Sequence, residues 1–214
     1  MLLAKKLGVR GTHSLLFASS LFLIAAGAAC ASTPPVRLSI VAANHSGDEQ
    51  DVVDRLTAQL ERMPNVSLST VNPDWYVKCA IEEVNDRRSG QIRYNGTVTV
   101  TTTDGQLVST TSVQKYNQDF SLEGGAPLNK ALVQQASRQC VEEISAKAID
   151  PIDDAVQTEI GTRERVISAS KLADQHKYDQ AIVLLQQILP DSPHFKQART
   201  LMQRYQRLKG GGHG

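Results

Sequence analysis

The segment Gln91–Gln118 most constrains the fold of this 214-residue chain. Two runs rich in Thr, Val and Tyr flank Asp104-Gly105, in the order QIRYNGTVTVTTT, DG, QLVSTTSVQKYNQ. β-Branched and aromatic residues favour strands, and Asp-Gly favours the positive φ angles of a type I′ turn. The segment therefore predicts a long β-hairpin. Its apolar face needs a layer of helices to cover it.

The residues around the hairpin predict the rest of one α/β domain over 36–152. We expect short strands at 36–42, 66–71 and 75–84 and a helix at 49–63 that Asp48 caps. A second helix is predicted at 126–148, with Gly124-Gly125 as a hinge before it, Pro127 in its first turn and Asp150-Pro151 closing the unit. The predicted class is α+β: a three- to five-stranded sheet with both helices on one face.

The remaining residues have the pattern of a helical tail. Residues 153–162 are interpreted as a linker, 163–209 as three helices and 210–214 as a flexible end. The tail resembles a tetratricopeptide repeat at Ala169, Leu172, Tyr178, Ala181, Leu185 and Pro193. One such repeat is not stable alone, so it has to pack on the α/β domain, on another copy or on a partner. The alternative is a helical hairpin that only completes the core.

Residues 1–31 are typical of a secretory signal peptide. Lys5, Lys6 and Arg10 precede the apolar run 14–24, which is too short to span a bilayer. Ordinary cleavage would leave Ser32 first, whereas Gly27-Ala28-Ala29-Cys30 resembles a bacterial lipobox. We favour lipidation of Cys30 with residues 32–35 as a tether. By the same resemblance, Ala31 directs the protein to the periplasm and the outer membrane.

Two further cysteines, Cys79 and Cys140, remain in the mature chain. Cys79 lies on the apolar side of a predicted strand, and Cys140 lies on the apolar stripe of a predicted helix. If that helix covers that strand, the two sulfur atoms face each other. We therefore predict a Cys79–Cys140 disulfide, the alternative being two buried, reduced thiols.

Charge and motifs argue against several function classes. Residues 1–31 hold three basic and no acidic residues, which leaves a net charge of −2 for the rest, so the overall charge gives no reason to expect nucleic acid or an anionic membrane surface as a partner. No catalytic residue, metal site or cofactor is predicted, because the His, Cys and Gly residues have no recognisable spacing for such chemistry. We therefore expect that the protein is not an enzyme.

The order strand, helix, strand, strand, hairpin, helix over residues 36–150 resembles one known periplasmic α/β domain. The curli-secretion-channel lipoprotein and the lipoprotein activators of penicillin-binding proteins share that domain. The resemblance implies a lipid-anchored envelope protein. The chain departs from the channel in having no apolar segments for membrane insertion, and its tether is short.

Together these features predict a non-catalytic envelope adaptor or assembly factor. It would contact another envelope protein, in a multi-protein secretion, appendage or cell-wall machine. Gln175, Tyr178 and Gln186 are the predicted partner-binding residues, in the groove of the tail. The alternative is a periplasmic small-molecule-binding or enzymatic protein with a pocket between sheet and helices.

We predict that the mature chain begins at lipidated Cys30, or at Ser32 if it is not lipidated. The intact mass of the exported product measures this. Cys30→Ser should release the protein from membranes, because one residue carries the anchor. A product that retains residues 1–29 contradicts export, and unchanged membrane association of Cys30→Ser contradicts lipidation.

Overall fold

The computed structural model describes residues 33–122, 126–190 and 192–210. The predictions for the signal peptide, Cys30, the Gly124-Gly125 hinge and residues 211–214 lie outside these ranges. The chain from Thr33 onward is one compact unit. Among the described residues, no helix is long and apolar enough to cross a membrane.

The strands form a five-stranded sheet in the order β2-β1-β3-β4-β5. Strand β1 is parallel to both β2 and β3, whereas β3, β4 and β5 are successively antiparallel. Strands β2 and β5 are thus the two edges of the sheet. The strands are β1 (Val36–Ala42), β2 (Val66–Leu68), β3 (Trp75–Asp86), β4 (Gln91–Thr102) and β5 (Leu107–Gln118).

The predicted hairpin is β4–β5, but its turn differs from the expected type I′. Gly105 has φ 86°, and Asp104 does not have a positive φ. Gly105 N donates to Thr102 O over 3.0 Å, and Thr102 N donates to Gln106 O over 2.9 Å. This is the pattern of a type I turn followed by a glycine bulge. The predicted turn type was wrong because Asp104 does not adopt the left-handed conformation.

Two helices cover one face of the sheet, as predicted. They are α1 (Gly47–Leu60) and α2 (Lys130–Lys147). Alternate residues of the central strands point toward them and are buried, among them Trp75, Val77, Ile92, Val98 and Val100. The α+β class and the one-sided helical layer are therefore confirmed.

Gly96 allows α2 to lie close against β4. A Cβ atom at this position would stand 3.0 Å from Cys140 Sγ and 3.1 Å from Ile144 Cβ. Real Cβ atoms rarely come so close to a packed neighbour, so a larger residue at this position would displace Cys140 or Ile144 by a few tenths of an ångström. The absence of a side chain at Gly96 thus allows the close packing of α2 on the sheet.

Helix α1 begins two residues before the prediction, with Ser46 as its N-cap instead of Asp48. The Ser46 hydroxyl accepts a bond from Glu49 N, and the Glu49 carboxylate accepts one from Ser46 N. This capping box outcompetes a cap at Asp48 because it satisfies two backbone donors at once. Glu49 is fully buried, and it also accepts bonds from Asn44 and from the backbone N of Ile81.

Helix α2 begins at Lys130, four residues after the predicted start, so Pro127 lies outside it. Asn129 is the N-cap, and its side chain accepts a hydrogen bond from Ala131 N over 2.9 Å. Asp119 in turn accepts a bond from Asn129 N over 3.1 Å. The helix starts where these side chains satisfy its first backbone donors.

The predicted linker 153–162 was wrong, because these residues lie within the long helix α3 (Ile149–Asp174). Pro151 did not stop the chain from being helical. It stands in the first turn of α3, where a missing N–H does least harm, and α2 ends at Lys147 with Ala148 as its C-cap. Val156 and Ile160 are buried in the main core, which explains why this segment is ordered as a helix.

The tail contains a second apolar cluster. Helix α3 continues into it and is followed by α4 (Tyr178–Gln186) and α5 (Phe195–Gly210). The buried members of this cluster are Ala169, Ala173, Ala181, Leu185, Ile188, Ala198 and Tyr205. The predicted helical hairpin is therefore present, and α3 joins it to the α/β core.

Cys79 and Cys140 are both buried in the main core and are free thiols in this structure. Cys140 Sγ lies over Gly96, which pairs with Ile81 of β3, and Cys79 is two residues from Ile81 on the same face. Burial raises the pKa of Cys79 to about 12 and that of Cys140 to about 11. The disulfide between them stays a prediction.

We predict that both thiols of the reduced, folded protein resist alkylation. The thiolate is the reactive form, so the raised pKa values should slow iodoacetamide labelling at least about tenfold relative to the urea-unfolded chain. Mass spectrometry of both samples measures this. Equal labelling rates would contradict the buried positions of the two residues.

A test of the Cys79–Cys140 disulfide requires protein purified from the compartment in which it works. Peptide mapping without reduction should yield a cross-linked Cys79–Cys140 peptide. By the chain-entropy estimate, closing this loop would stabilise the fold by about 4 kcal/mol before strain. Two alkylated, unlinked cysteines in that sample would contradict the bridge.

Candidate functional site

A cleft of about 790 Å³ lies between the start of β5, the middle of α3 and the connection from α4 to α5. We call it the cleft. Trp75, which is buried, contributes to its wall from the core side. Because its walls come from three separate parts of the chain, the cleft exists only in the folded protein.

Two leucines make part of the cleft wall apolar. Leu107 of β5 is 58 % exposed, and Leu189 of the α4–α5 connection is 63 % exposed. Both line the cleft, together with Ala155 and Pro151 of α3. Exposed apolar side chains gathered in one concave site are typical of a surface that binds a ligand or partner.

The same cleft borders the edge of the sheet. Leu107, Val108 and Ser109 are consecutive residues of β5, and all three line it. Strand β5 has a neighbouring strand on one side only. An extended peptide can add to such an edge through main-chain hydrogen bonds.

The polar residues that line the cleft include Asp154, Thr158, Glu159 and Arg165. Glu159 is buried, and its Oε1 lies 2.7 Å from Arg163 Nε and 2.6 Å from His194 Nε2. The contact between Glu159 and His194 joins α3 to the α4–α5 connection. This contact therefore holds the α3 wall of the cleft against the wall formed by the α4–α5 connection.

Arg163 links Glu159 to residues near the start of the described chain. Its Nη2 atom lies 3.0 Å from Asp74 Oδ2, and its Nη1 atom donates to Pro34 O over 3.5 Å. Asp74 also accepts two bonds from Arg37, one of them a backbone bond. We call Glu159, Arg163, His194 and Asp74 the Glu159 network.

The contacts of the Glu159 network favour the charged forms of Glu159, His194 and Asp74. Burial disfavours the Glu159 carboxylate, but bonds from His194 and Arg163 outweigh it and lower the pKa of Glu159. The bond to Glu159 raises the pKa of His194 although burial opposes this shift. Burial likewise opposes ionisation of Asp74, yet bonds from Arg37 and Arg163 lower its pKa.

The partner-binding role of Gln175, Tyr178 and Gln186 stays a prediction. Gln175 is exposed just after the end of α3, and Gln186 is exposed at the last residue of α4, about 12 Å along the helix axis from Tyr178 at its start. Tyr178 packs against the second cluster, where its hydroxyl lies 3.0 Å from His176 Nδ1 and its ring lies 6.3 Å from that of Tyr205.

The residues of the cleft were not identified from the sequence. Glu159 and His194 are 35 positions apart, and Leu107 and Leu189 are 82 apart, so no local spacing joins either pair. The spacing of His194 from other residues in the sequence predicts no role for it. Within the described ranges, no group of three or more His, Cys, Asp or Glu residues is placed to hold a metal ion.

We predict that the Glu159–His194 contact stabilises the fold most between about pH 4.5 and 6.5, the usual pKa values of the two groups. The raised His194 pKa contributes stability below 6.5 that is lost as pH rises through the folded-state value. The lowered Glu159 pKa contributes stability above 4.5 that is lost as pH falls through its folded-state value.

A double-mutant cycle of Glu159→Gln and His194→Gln in urea unfolding measures this coupling. We expect about 1–2 kcal/mol near pH 6 and less at pH 9, because the stabilisation by protonated His194 is lost as pH rises through its folded-state pKa. The cycle is its own control, because it cancels effects that each substitution has separately. A coupling energy that does not change between the two pH values would contradict a charged His194.

No protein-family model matches the chain. A search of curated proteins found no match either. Several solved structures overlap with part of it. The PelC dodecamer from Paraburkholderia phytofirmans covers 55 % of this chain and 88 % of its own, with 12 % identity and a TM-score of 0.34.

Two others overlap to a similar extent. A DUF330 protein from Xanthomonas campestris covers 54 % of this chain and 81 % of its own, with 9 % identity and a TM-score of 0.32. A minor lipoprotein from Acinetobacter baumannii covers 54 % and 96 %, with 19 % identity and a TM-score of 0.28. TM-scores of this size do not establish a common fold.

Proposed function

We propose that the chain is a lipid-anchored, non-catalytic adaptor of the bacterial envelope that holds an extended segment of another envelope protein in the cleft. The signal peptide and the Cys30 sequence support its address at the periplasmic side of the outer membrane. The partner belongs to a secretion, appendage or cell-wall assembly, as the predicted family resemblance implies.

One observation carries this proposal: two exposed leucines and a sheet edge share one cleft. Leu107 and Leu189 lose contact with water when a partner's apolar side chains cover them, which is favourable by roughly 25 cal/mol per Å². The neighbouring edge of β5 offers main-chain bonds, which support affinity for an extended backbone of almost any sequence.

The same cleft also favours a second candidate function. Its volume of about 790 Å³ lies within the usual range for sites that bind small molecules. Asp154 and Arg165 would then orient a polar ligand against the two leucines. A bound compound seen by native mass spectrometry of the protein from its own host would favour this candidate.

We predict that Leu107→Asp with Leu189→Asp abolishes capture of the partner in intact cells. Two carboxylates in the cleft would have to be desolvated by the partner's apolar side chains, which is unfavourable. Crosslinking followed by mass spectrometry measures partner capture. Both residues are largely exposed, so the melting temperature should change little.

Val71→Asp is the matched control. Val71 is 71 % exposed and lies in the β2–β3 connection, outside the cleft. The control should retain every crosslink. If the double variant captures the same proteins as the control, the cleft is not the partner site and the adaptor proposal fails at this surface.

A further inference from the structure

Helix α5 concentrates positive charge that the whole-chain average conceals. It contains five basic and no acidic residues, whereas the rest of the chain beyond residue 31 has a net charge of −7. Lys209 pairs with Asp179. The other four, Lys196, Arg199, Arg204 and Arg207, form no ion pair with any described residue; we call them the α5 basic face.

The four side chains share the solvent side of the helix. Ala198 and Tyr205 bury the opposite side in the second cluster, and all four basic residues are exposed. Lys196 and Arg207 are eleven positions apart, so they project in nearly the same direction, about 16 Å apart along the axis. Arg199 and Arg204 lie on either side of that line. Arg199 also lies over the Phe195 ring, 5.9 Å from its centroid.

Helix stability explains only the C-terminal part of this arrangement, where Arg207 stands in the last turn and the helix dipole favours a cation. Lys196–Arg199 and Arg204–Arg207 are like-charge pairs at spacing i, i+3, which are unfavourable on a helix. Lys196 also stands in the first turn, where the helix dipole disfavours a cation. The carboxylate of Asp104 at the hairpin turn interacts weakly with Lys196 but does not pair with it. The face is therefore better explained by an anion outside the chain.

The start of α5 lies beside the point where the tether enters the fold. Three successive contacts, of 3.5, 2.7 and 2.6 Å, connect Pro34 O to Arg163, Arg163 to Glu159 and Glu159 to His194. Helix α5 begins at the residue after His194. Four peptide units separate Cys30 from Pro34, a reach of at most about 14 Å.

We infer that the α5 basic face binds the anionic phospholipid headgroups of the membrane in which the Cys30 acyl anchor is inserted. This contact between α5 and the membrane rests on the lipid anchor of the proposed function, because the short tether keeps the start of α5 near the bilayer. One lipid signal with a basic patch is a known combination for stable attachment. The face has no apolar centre, which a protein interface of this size normally has.

The test uses residues 33–214, the compact unit that contains both apolar clusters. Its co-sedimentation is measured with phosphatidylcholine vesicles that contain or lack phosphatidylglycerol. We expect binding only to the anionic vesicles, weakening as salt is raised. Lys196→Gln, Arg199→Gln, Arg204→Gln and Arg207→Gln together should weaken it by roughly several hundredfold, because the attraction of each basic residue to the anionic surface adds to that of the others.

The matched control removes four exposed basic residues elsewhere: Arg55→Gln, Arg62→Gln, Arg87→Gln and Arg88→Gln. It should bind nearly as well as the unchanged unit. Replacing the three arginines of the face by lysine should also retain binding, because the charge is kept. Circular dichroism verifies that every variant is folded.

Equal binding to neutral and anionic vesicles overturns the inference. An equal loss of binding to anionic vesicles in the face variant and in the control also overturns it. A unit that binds soluble polyglutamate but no vesicles also overturns it, because the partner would then be an acidic protein. The unit lacks Cys30, so these failures leave the lipid anchor intact; the Cys30→Ser fractionation tests that anchor separately.

Discussion

The helix α3 is the element on which the rest of the structure depends. Its first half, with Ile152, Val156 and Ile160, completes the main core, and its second half, with Ala169 and Ala173, begins the second cluster. An uninterrupted helix transmits position along its length far more rigidly than a loop does. The tail is therefore held by the α/β core through one continuous backbone, because α3 belongs to both apolar clusters.

The Glu159 network lies where those two halves of α3 meet. A buried carboxylate is costly unless it is paired, and Glu159 is paired with Arg163 and His194 together. Such contacts contribute geometry more than stability, because desolvation offsets much of their attraction. Here they hold the chain near Pro34 and the α4–α5 connection against the same helix. The cleft and the start of α5 are positioned as a consequence.

Gly96 affects a different contact, the packing of α2 on the sheet. Its missing Cβ lets Cys140 and Ile144 rest directly on the sheet, so α2 lies close enough to bury the faces of β4 and β5. The opposite face of the sheet is lined mainly by threonine, other polar side chains and a few exposed apolar ones such as Tyr76. The binding surfaces proposed for this protein thus lie around α3 and its continuation, while the sheet and its two covering helices form the rigid support.

The sequence by itself determined the hairpin, the helical layer and the three helices of the tail. These follow from side-chain periodicity and turn residues, which act over a few positions. It did not determine the helix starts at Ser46 and Asn129, because neighbouring caps compete and tertiary contacts such as Asp119 with Asn129 decide between them. Only the tertiary structure showed that residues 153–162 continue a helix, since burial of Val156 and Ile160 is what orders them. Only the tertiary structure places Glu159 beside His194, and Leu107 in the same cleft as Leu189. Residues so far apart in the sequence meet only when the elements between them pack.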